Sequence, residues 1–141
     1  MTAPTVSFVV PGEPLGKMRP RFRRAGAHVS TYTPAKTRDY EASIAAAADV
    51  AATNQGYEHP ERGWYEMEVL VYRTHERKGS DVDNVGKAVA DSLNGVLWRD
   101  DSELRQVTVR LAGWGEAPRV EVTVRAYPYV KRVRAKGKVA A

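Results

Sequence analysis

The chain has no cysteine. Disulfides and thiolate metal sites are therefore excluded, and a reducing, cytoplasmic setting is expected. No basic segment followed by an apolar run opens the sequence, so no secretory leader is expected. Long apolar runs are missing too. The longest small-apolar stretch, residues 44–52, is broken by Asp49 and is too short to cross a bilayer, so no membrane partner is expected. There is no internal repeat and no linker that would split the chain. Its 141 residues read as one domain with one modest core, over residues 1–130. Residues 131–141 follow as a tail with five basic residues and no acid up to Lys138, expected to be disordered.

What the chain does have is a formal net charge of +5 beside a local concentration of acids. Surplus positive charge suits a polyanion, and acids gathered in one stretch suit a metal ion acting at one spot. Solubility alone would account for the basic residues equally well, and charge does not choose between the two.

The acids lie in residues 80–101, SDVDNVGKAVADSLNGVLWRDD. Asp81 and Asp83 sit two apart at the start, and Asp100 and Asp101 close the stretch. Val85, Val89 and Leu93 recur at the spacing of one helix face, and Asp83, Lys87 and Asp91 recur on a neighbouring face. A helix is expected from about Asp83 to Asn94. Ser80, Asp81 or Asp83 would cap it, Asn94-Gly95 would stop it, and Val96-Leu97-Trp98 would return the chain to the core. Carboxylates brought together repel one another, and the usual remedy is a hard divalent cation with oxygen ligands, Mg²⁺ or Mn²⁺. Lys87, one turn after Asp83, could hold a phosphate oxygen or a developing negative charge. Capping acids at a helix start would explain Asp81 and Asp83 as well. A calcium loop would not: Val85 stands where it needs an oxygen ligand, and Ser92 where it needs a bidentate carboxylate.

The pattern Asp81-x-Asp83-Asn84-x-x-Lys87-x-x-x-Asp91-x-Leu93-Asn94-Gly95-x-x-Trp98-x-Asp100-Asp101 resembles the RusA family of Holliday-junction resolvases. The resemblance implies a Mg²⁺-dependent homodimeric endonuclease that makes paired nicks in four-way DNA junctions. It implies that Asp81, Asp83 and Asp101 are metal-binding catalytic carboxylates and Lys87 the catalytic lysine. Asp91 and Asp100 match the motif with roles left open. Some members carry arginine where this chain has Gly79 and Ser80.

Residues 17–24 place five basic residues in eight positions, with one proline among them, a glycine before them and no acid. This reads as a loop. Guanidinium groups fork onto phosphate oxygens, so Lys17, Arg19, Arg21, Arg23 and Arg24 are candidate DNA contacts. Lys36 and Arg38 read as solvated helix charge. His28, His59 and His75 read as surface or packing residues.

Strands are expected at residues 5–10, 27–32 (paired with the first), 64–75, 104–112 and 119–127, the last two as a hairpin. A helix is expected over residues 34–52, with Thr33 as its cap. Tyr40, Ile44, Ala47 and Ala51 would form its core face. The sum is an α+β fold, a mixed or antiparallel sheet of about five strands with two helices on one face. Asp81, Asp83 and Asp101 are expected to meet at one end of that sheet. Trp98 and the alanine face of the first helix are the apolar material expected to join two copies. Two other functions fit the same residues: a DNA-junction-binding accessory protein without cleavage, and a metal-dependent phosphoesterase acting on another nucleic acid.

Overall fold

In the computed structural model, residues 4–18 and 21–129 are described; Arg19, Pro20 and the expected tail lie outside them. The elements run β1 (Thr5–Pro11), β2 (Arg21–Ala25), β3 (His28–Tyr32), α1 (Ala35–Gln55), β4 (Gly63–Arg73), α2 (Val82–Ser92), a 3₁₀ turn (Asp101–Glu103), β5 (Leu104–Trp114) and β6 (Arg119–Pro128). One four-stranded mixed sheet has the order β1-β6-β4-β5, and β2 pairs with β3 in a small sheet of its own. This is a single α+β domain.

Alternation explains the main sheet. Val6, Phe8 and Val10 of β1, Tyr65, Met67, Val69 and Val71 of β4, and Val120, Val122, Val124 and Ala126 of β6 are all buried. Successive side chains point to opposite faces, so these residues share one face. Both helices cover it. Ile44, Ala48, Ala51 and Ala52 of α1 and Val85 and Val89 of α2 pack into the same cluster, closed from below by Leu93, Leu97 and Trp98. Burying each such side chain is worth about 1.5–3 kcal/mol relative to leaving it in water. The other face of the sheet carries residues such as Ser7, Val9, Glu68 and Thr123, and no helix among the described residues lies over it.

Several expectations need correcting. Residues 21–25 are a strand, not part of a loop, and β3 pairs with it rather than with β1. The strand has no core-facing set of apolar residues, so alternation could not reveal it; the two-residue Gly26-Ala27 connection, with Gly26 at φ 61°, makes the pair. The last two strands are not a hairpin. β5 runs parallel to β4, and β6 inserts between β1 and β4, antiparallel to both. The connection between them crosses the end of β4, where the Gly115 N–H donates to the Arg73 carbonyl. The cap of α1 is Pro34, whose carbonyl takes the N–H groups of Thr37 and Arg38; Thr33 is not the cap. Trp98 is fully buried, with its indole N–H on Asn94 Oδ1 at 2.7 Å, and the alanine face of α1 lies against the sheet. Trp98 is therefore not free to join two copies, whereas Ala42 and Ala46 of α1 stay exposed.

The two outer edges of the sheet differ. On β1, the Gln55 side chain at the end of α1 takes both outward backbone groups of Ser7: the Ser7 N–H donates to Oε1 at 3.0 Å, and Nε2 donates to the Ser7 carbonyl at 2.6 Å. On β5, no such partner occupies the outer edge among the described residues.

Candidate functional site

The site is built where β4 hands the chain to α2. Arg73, the last residue of β4, turns its guanidinium back on the following loop and donates to the carbonyls of His75 (3.0 Å), Ser80 (3.0 Å) and Glu76. Glu13 secures the same loop from the other side, accepting from the Thr74 N–H at 3.2 Å and hydroxyl at 2.6 Å. Gly79 sits at φ 138°, a conformation that side chains disfavour, which permits the close turn under Arg73. This clamp delivers Asp81 to the N-cap position of α2.

Asp81 caps with its backbone alone. Its carbonyl receives the Val85 N–H at 3.0 Å, and its side chain makes no capping bond. Asp83 lies exposed in the first turn, and Lys87 lies exposed one turn on. None of these three side chains has a hydrogen bond or ion pair among the described residues. The capping explanation for Asp81 and Asp83 therefore has no side-chain bond to support it. Two glycines fix how α2 sits. A Cβ on Gly86 would lie 2.5 Å from Val109 Cγ2, so α2 approaches β5 more closely than any other residue would permit. A Cβ on Gly16 would lie 2.9 Å from Asn84 Cβ, so the basic segment presses onto the start of α2, where the Lys17 N–H bonds the Asn84 carbonyl. Between α2 and β5 runs an open groove lined by Val82, Asp83, Lys87, Ala90, Val107 and Val109, with Gly86 at its floor.

The other acids of the stretch are occupied. Asp91 pairs with Lys17 Nζ at 3.0 Å, and Lys17 also bonds Glu41 at 2.7 Å, so one ammonium ties the basic segment to α1 and α2 together. Partial burial alone would lower the Lys17 pKa, but Glu41 and Asp91 outweigh it and hold the ammonium above its usual value. Asp100 caps the 3₁₀ turn, its Oδ2 accepting from the Ser102 N–H at 3.1 Å. The Ser102 hydroxyl and then its N–H hold the Asp100 carboxyl below its usual range. Asp101 next to it is exposed, and its carboxylate has no partner among the described residues.

The expected meeting of Asp81, Asp83 and Asp101 does not occur within one chain. β4 and β5 are parallel, from Tyr65 beside Leu104 to Arg73 beside Trp114. Asp101 precedes the start of β5, whereas Asp81 and Asp83 follow the end of β4. Gly86 already stands at Val109, five residues or roughly 16 Å along β5 from Leu104, and Asp83 and Asp81 lie further along. Accordingly, among the described residues no three acids or histidines come together in a way that could hold a metal ion.

Of the basic candidates, Lys17 is committed to Glu41 and Asp91. Arg23 and Arg24 are exposed on β2, and Arg21 lies on the same strand. His28, His59 and His75 are exposed and lie in none of these contacts except through backbone or neighbouring carbonyls. The sequence did not point to Arg73, because an arginine that bonds only backbone carbonyls leaves no spacing signature.

Fold and acidic helix together match one family. The sequence model described as Endodeoxyribonuclease RusA matches residues 11–125, and the chain belongs to this family of endodeoxyribonucleases. Uncharacterized protein YqaN of Bacillus subtilis (strain 168) is similar to it, 30% identical over 140 residues that cover 85% of this chain and 95% of YqaN. Among the described residues no helix is long and apolar enough to cross a membrane.

Proposed function

We propose that this protein is a cytoplasmic, Mg²⁺-dependent endonuclease that resolves four-way DNA junctions by paired nicks, working as a homodimer. The supporting observation is the set of three exposed carboxylates, Asp81, Asp83 and Asp101, without side-chain partners among the described residues, in a basic chain of an endodeoxyribonuclease family, with Lys87 one turn from Asp83. Oxygen donors of this kind suit Mg²⁺, with Mn²⁺ as a substitute. Bound there, a divalent cation would polarise the scissile phosphate and lower the pKa of a bound water. Asp81, Asp83 and Asp101 would hold it. Lys87 would neutralise charge developing on the phosphate oxygens. Arg19, Arg21, Arg23, Arg24 and the tail would hold the DNA backbone, which positions DNA without reading its sequence. Lys17 would act indirectly, by bracing the basic segment against α2.

Assembly and site belong together in this reading. A two-fold axis along the open edge of β5 sets one β5 antiparallel to its copy. The start of each strand then lies beside the end of the other. Asp101 of one protomer approaches Asp81 and Asp83 of its partner, which a single chain does not achieve. Val107, on that strand and 48% exposed, replaces Trp98 as apolar material for the contact.

A mixing experiment tests this. Asp81→Asn and Asp101→Asn proteins are each expected to be inactive on a synthetic four-way junction. Unfolded together and refolded, they should regain about a quarter of the parental sites, because half the dimers carry one intact composite site. Inactivity of the mixture, with parental nicking intact, would place all three acids in one protomer. A parental protein that binds junctions but nicks none with Mg²⁺ or Mn²⁺ would leave only an accessory, non-cleaving role.

A further inference from the structure

The β2–β3 hairpin has no place in the core. It forms its own two-stranded sheet and, among the described residues, makes no substantial contact with any other strand or helix. Such a hairpin is marginally stable in water, so apolar side chains on it gain nothing from folding unless something covers them. Yet Phe22 is 75% exposed and Val29 63% exposed. Register sets Phe22 opposite Thr31 and Arg24 opposite Val29. By alternation these four share one face, an aromatic ring beside a guanidinium. The other face carries Arg23, whose guanidinium lies 5.1 Å over the Tyr32 ring.

Charge says what kind of partner covers this arm. From Leu15 to Arg38 the sequence contains seven basic residues and no acid. The partner is therefore anionic, and it must also offer flat apolar surface to Phe22. A nucleic acid offers both where its bases are not fully stacked. In continuous duplex every base is covered above and below, so an aromatic ring finds only sugar and phosphate. At a branch point the terminal base pairs lose neighbours.

We propose that the hairpin is a base-stacking arm. Phe22 stacks on a nucleobase left open at the branch point while Arg24, on the same face, holds an adjoining phosphate, and this contact favours branched DNA over duplex. The inference rests on the reading that the protein acts on branched DNA, and it names the element that would distinguish such DNA. Aromatic stacking on one base, judged by alanine substitution, is worth on the order of 5- to 100-fold in affinity and tolerates any base.

The test uses the full chain in EDTA, so that binding is measured without cleavage, on a four-way junction and a duplex of the same sequence. A 2-aminopurine is placed at the branch point. Phe22→Ala should weaken junction binding by 5- to 100-fold, leave duplex binding within about twofold, keep the salt slope and abolish the 2-aminopurine response. Phe22→Trp should behave as the parent does. Arg24→Gln should instead weaken both DNAs alike and reduce the log–log salt slope by about 0.9. An unchanged junction-to-duplex ratio in Phe22→Ala would overturn the inference, as would an equal loss on both DNAs. A change in oligomeric state would overturn it too, since Phe22 would then face a second copy. A parental protein with no preference for the junction would bring down the branched-DNA reading along with it; a parental preference that survives Phe22→Ala would bring down this inference alone.

Discussion

Five aspartates lie between residues 81 and 101, and they divide by what they touch. Asp91 and Asp100, in the last turn of α2 and at the 3₁₀ turn, are satisfied within the chain, by Lys17 and by Ser102. Asp81, Asp83 and Asp101, at the helix start and beside β5, have no side-chain partner among the described residues. The first pair does structural work that any small exposed domain needs. The second set makes no side-chain bond among the described residues, its one visible contribution to folding being Asp83 in the first turn of α2, where a negative charge is favoured. Motif spacing alone treats all five as one acidic cluster; contacts separate them.

The largest effects should fall on the unpartnered set. Asp81→Asn, Asp83→Asn and Asp101→Asn should each lower junction nicking by at least roughly 10²- to 10³-fold, the cost of removing one electrostatic stabiliser in other enzymes. Metal-free junction binding and thermal stability should hold or rise, because one negative charge fewer faces phosphates and neighbouring acids. Nicking assays, binding in EDTA and thermal melts on the same proteins check this. Full nicking by well-folded Asp81→Asn and Asp83→Asn proteins would erase the division.

Asp91→Asn should show the reverse pattern. Its pair with Lys17 is partly exposed, so its loss should cost about 0.5–1 kcal/mol and lower the melting temperature by a few degrees. Nicking per folded molecule should fall less than tenfold. The sign of the pH dependence follows from Lys17. Its pKa is raised on folding, so the stabilisation is fully present below its unfolded value of 10.5 and fades as pH rises through the raised value. Parent and Asp91→Asn stability curves should therefore stay apart between pH 6 and about 10 and converge above that. A selective loss of nicking in Asp91→Asn without any thermal shift would move Asp91 into the first set.

The smallest effect is expected at Asp100. Its carboxyl is fully exposed and its pKa is lowered by Ser102, so whatever it contributes is present above the unfolded value of 3.8 and lost as pH falls through the lowered one. Asp100→Asn should nick at near the parental rate at pH 7, and in an acid titration any small stability difference from the parent should be present at neutral pH and vanish below about pH 4. A hundredfold loss at pH 7 would mean that the cap is incidental.

Much of the fold was legible because it is written in periodicity. Val120, Val122 and Val124 announce β6, and Val85, Val89 and Leu93 announce the buried side of α2. Leu97 and Trp98 end in the core as their position after Asn94-Gly95 implies. What periodicity lacks is a partner. It cannot say that β6 slides between β1 and β4, or that β4 and β5 are parallel, and that parallel pairing is what separates Asp101 from Asp83. Nor does it register β2, a strand whose sequence Arg-Phe-Arg-Arg-Ala has no inside. Of the candidate site, residue identities came from spacing; that Lys17 is braced, that Asp100 is a cap and that Arg73 clamps the preceding loop came only with coordinates.

The amide of Gln55 on Ser7 bears on how far association can go. A strand at the margin of a sheet is a template, and a molecule with two open margins can add copies on both sides without end, as fibres do. Here one margin is already hydrogen-bonded by a side chain of its own chain. A second molecule joining at β5 about a two-fold axis would use up the open margin of both, leaving only the two blocked ones outside. Self-association through the sheet would then stop at two, with one glutamine at the far end of α1 guarding Ser7 on the other margin.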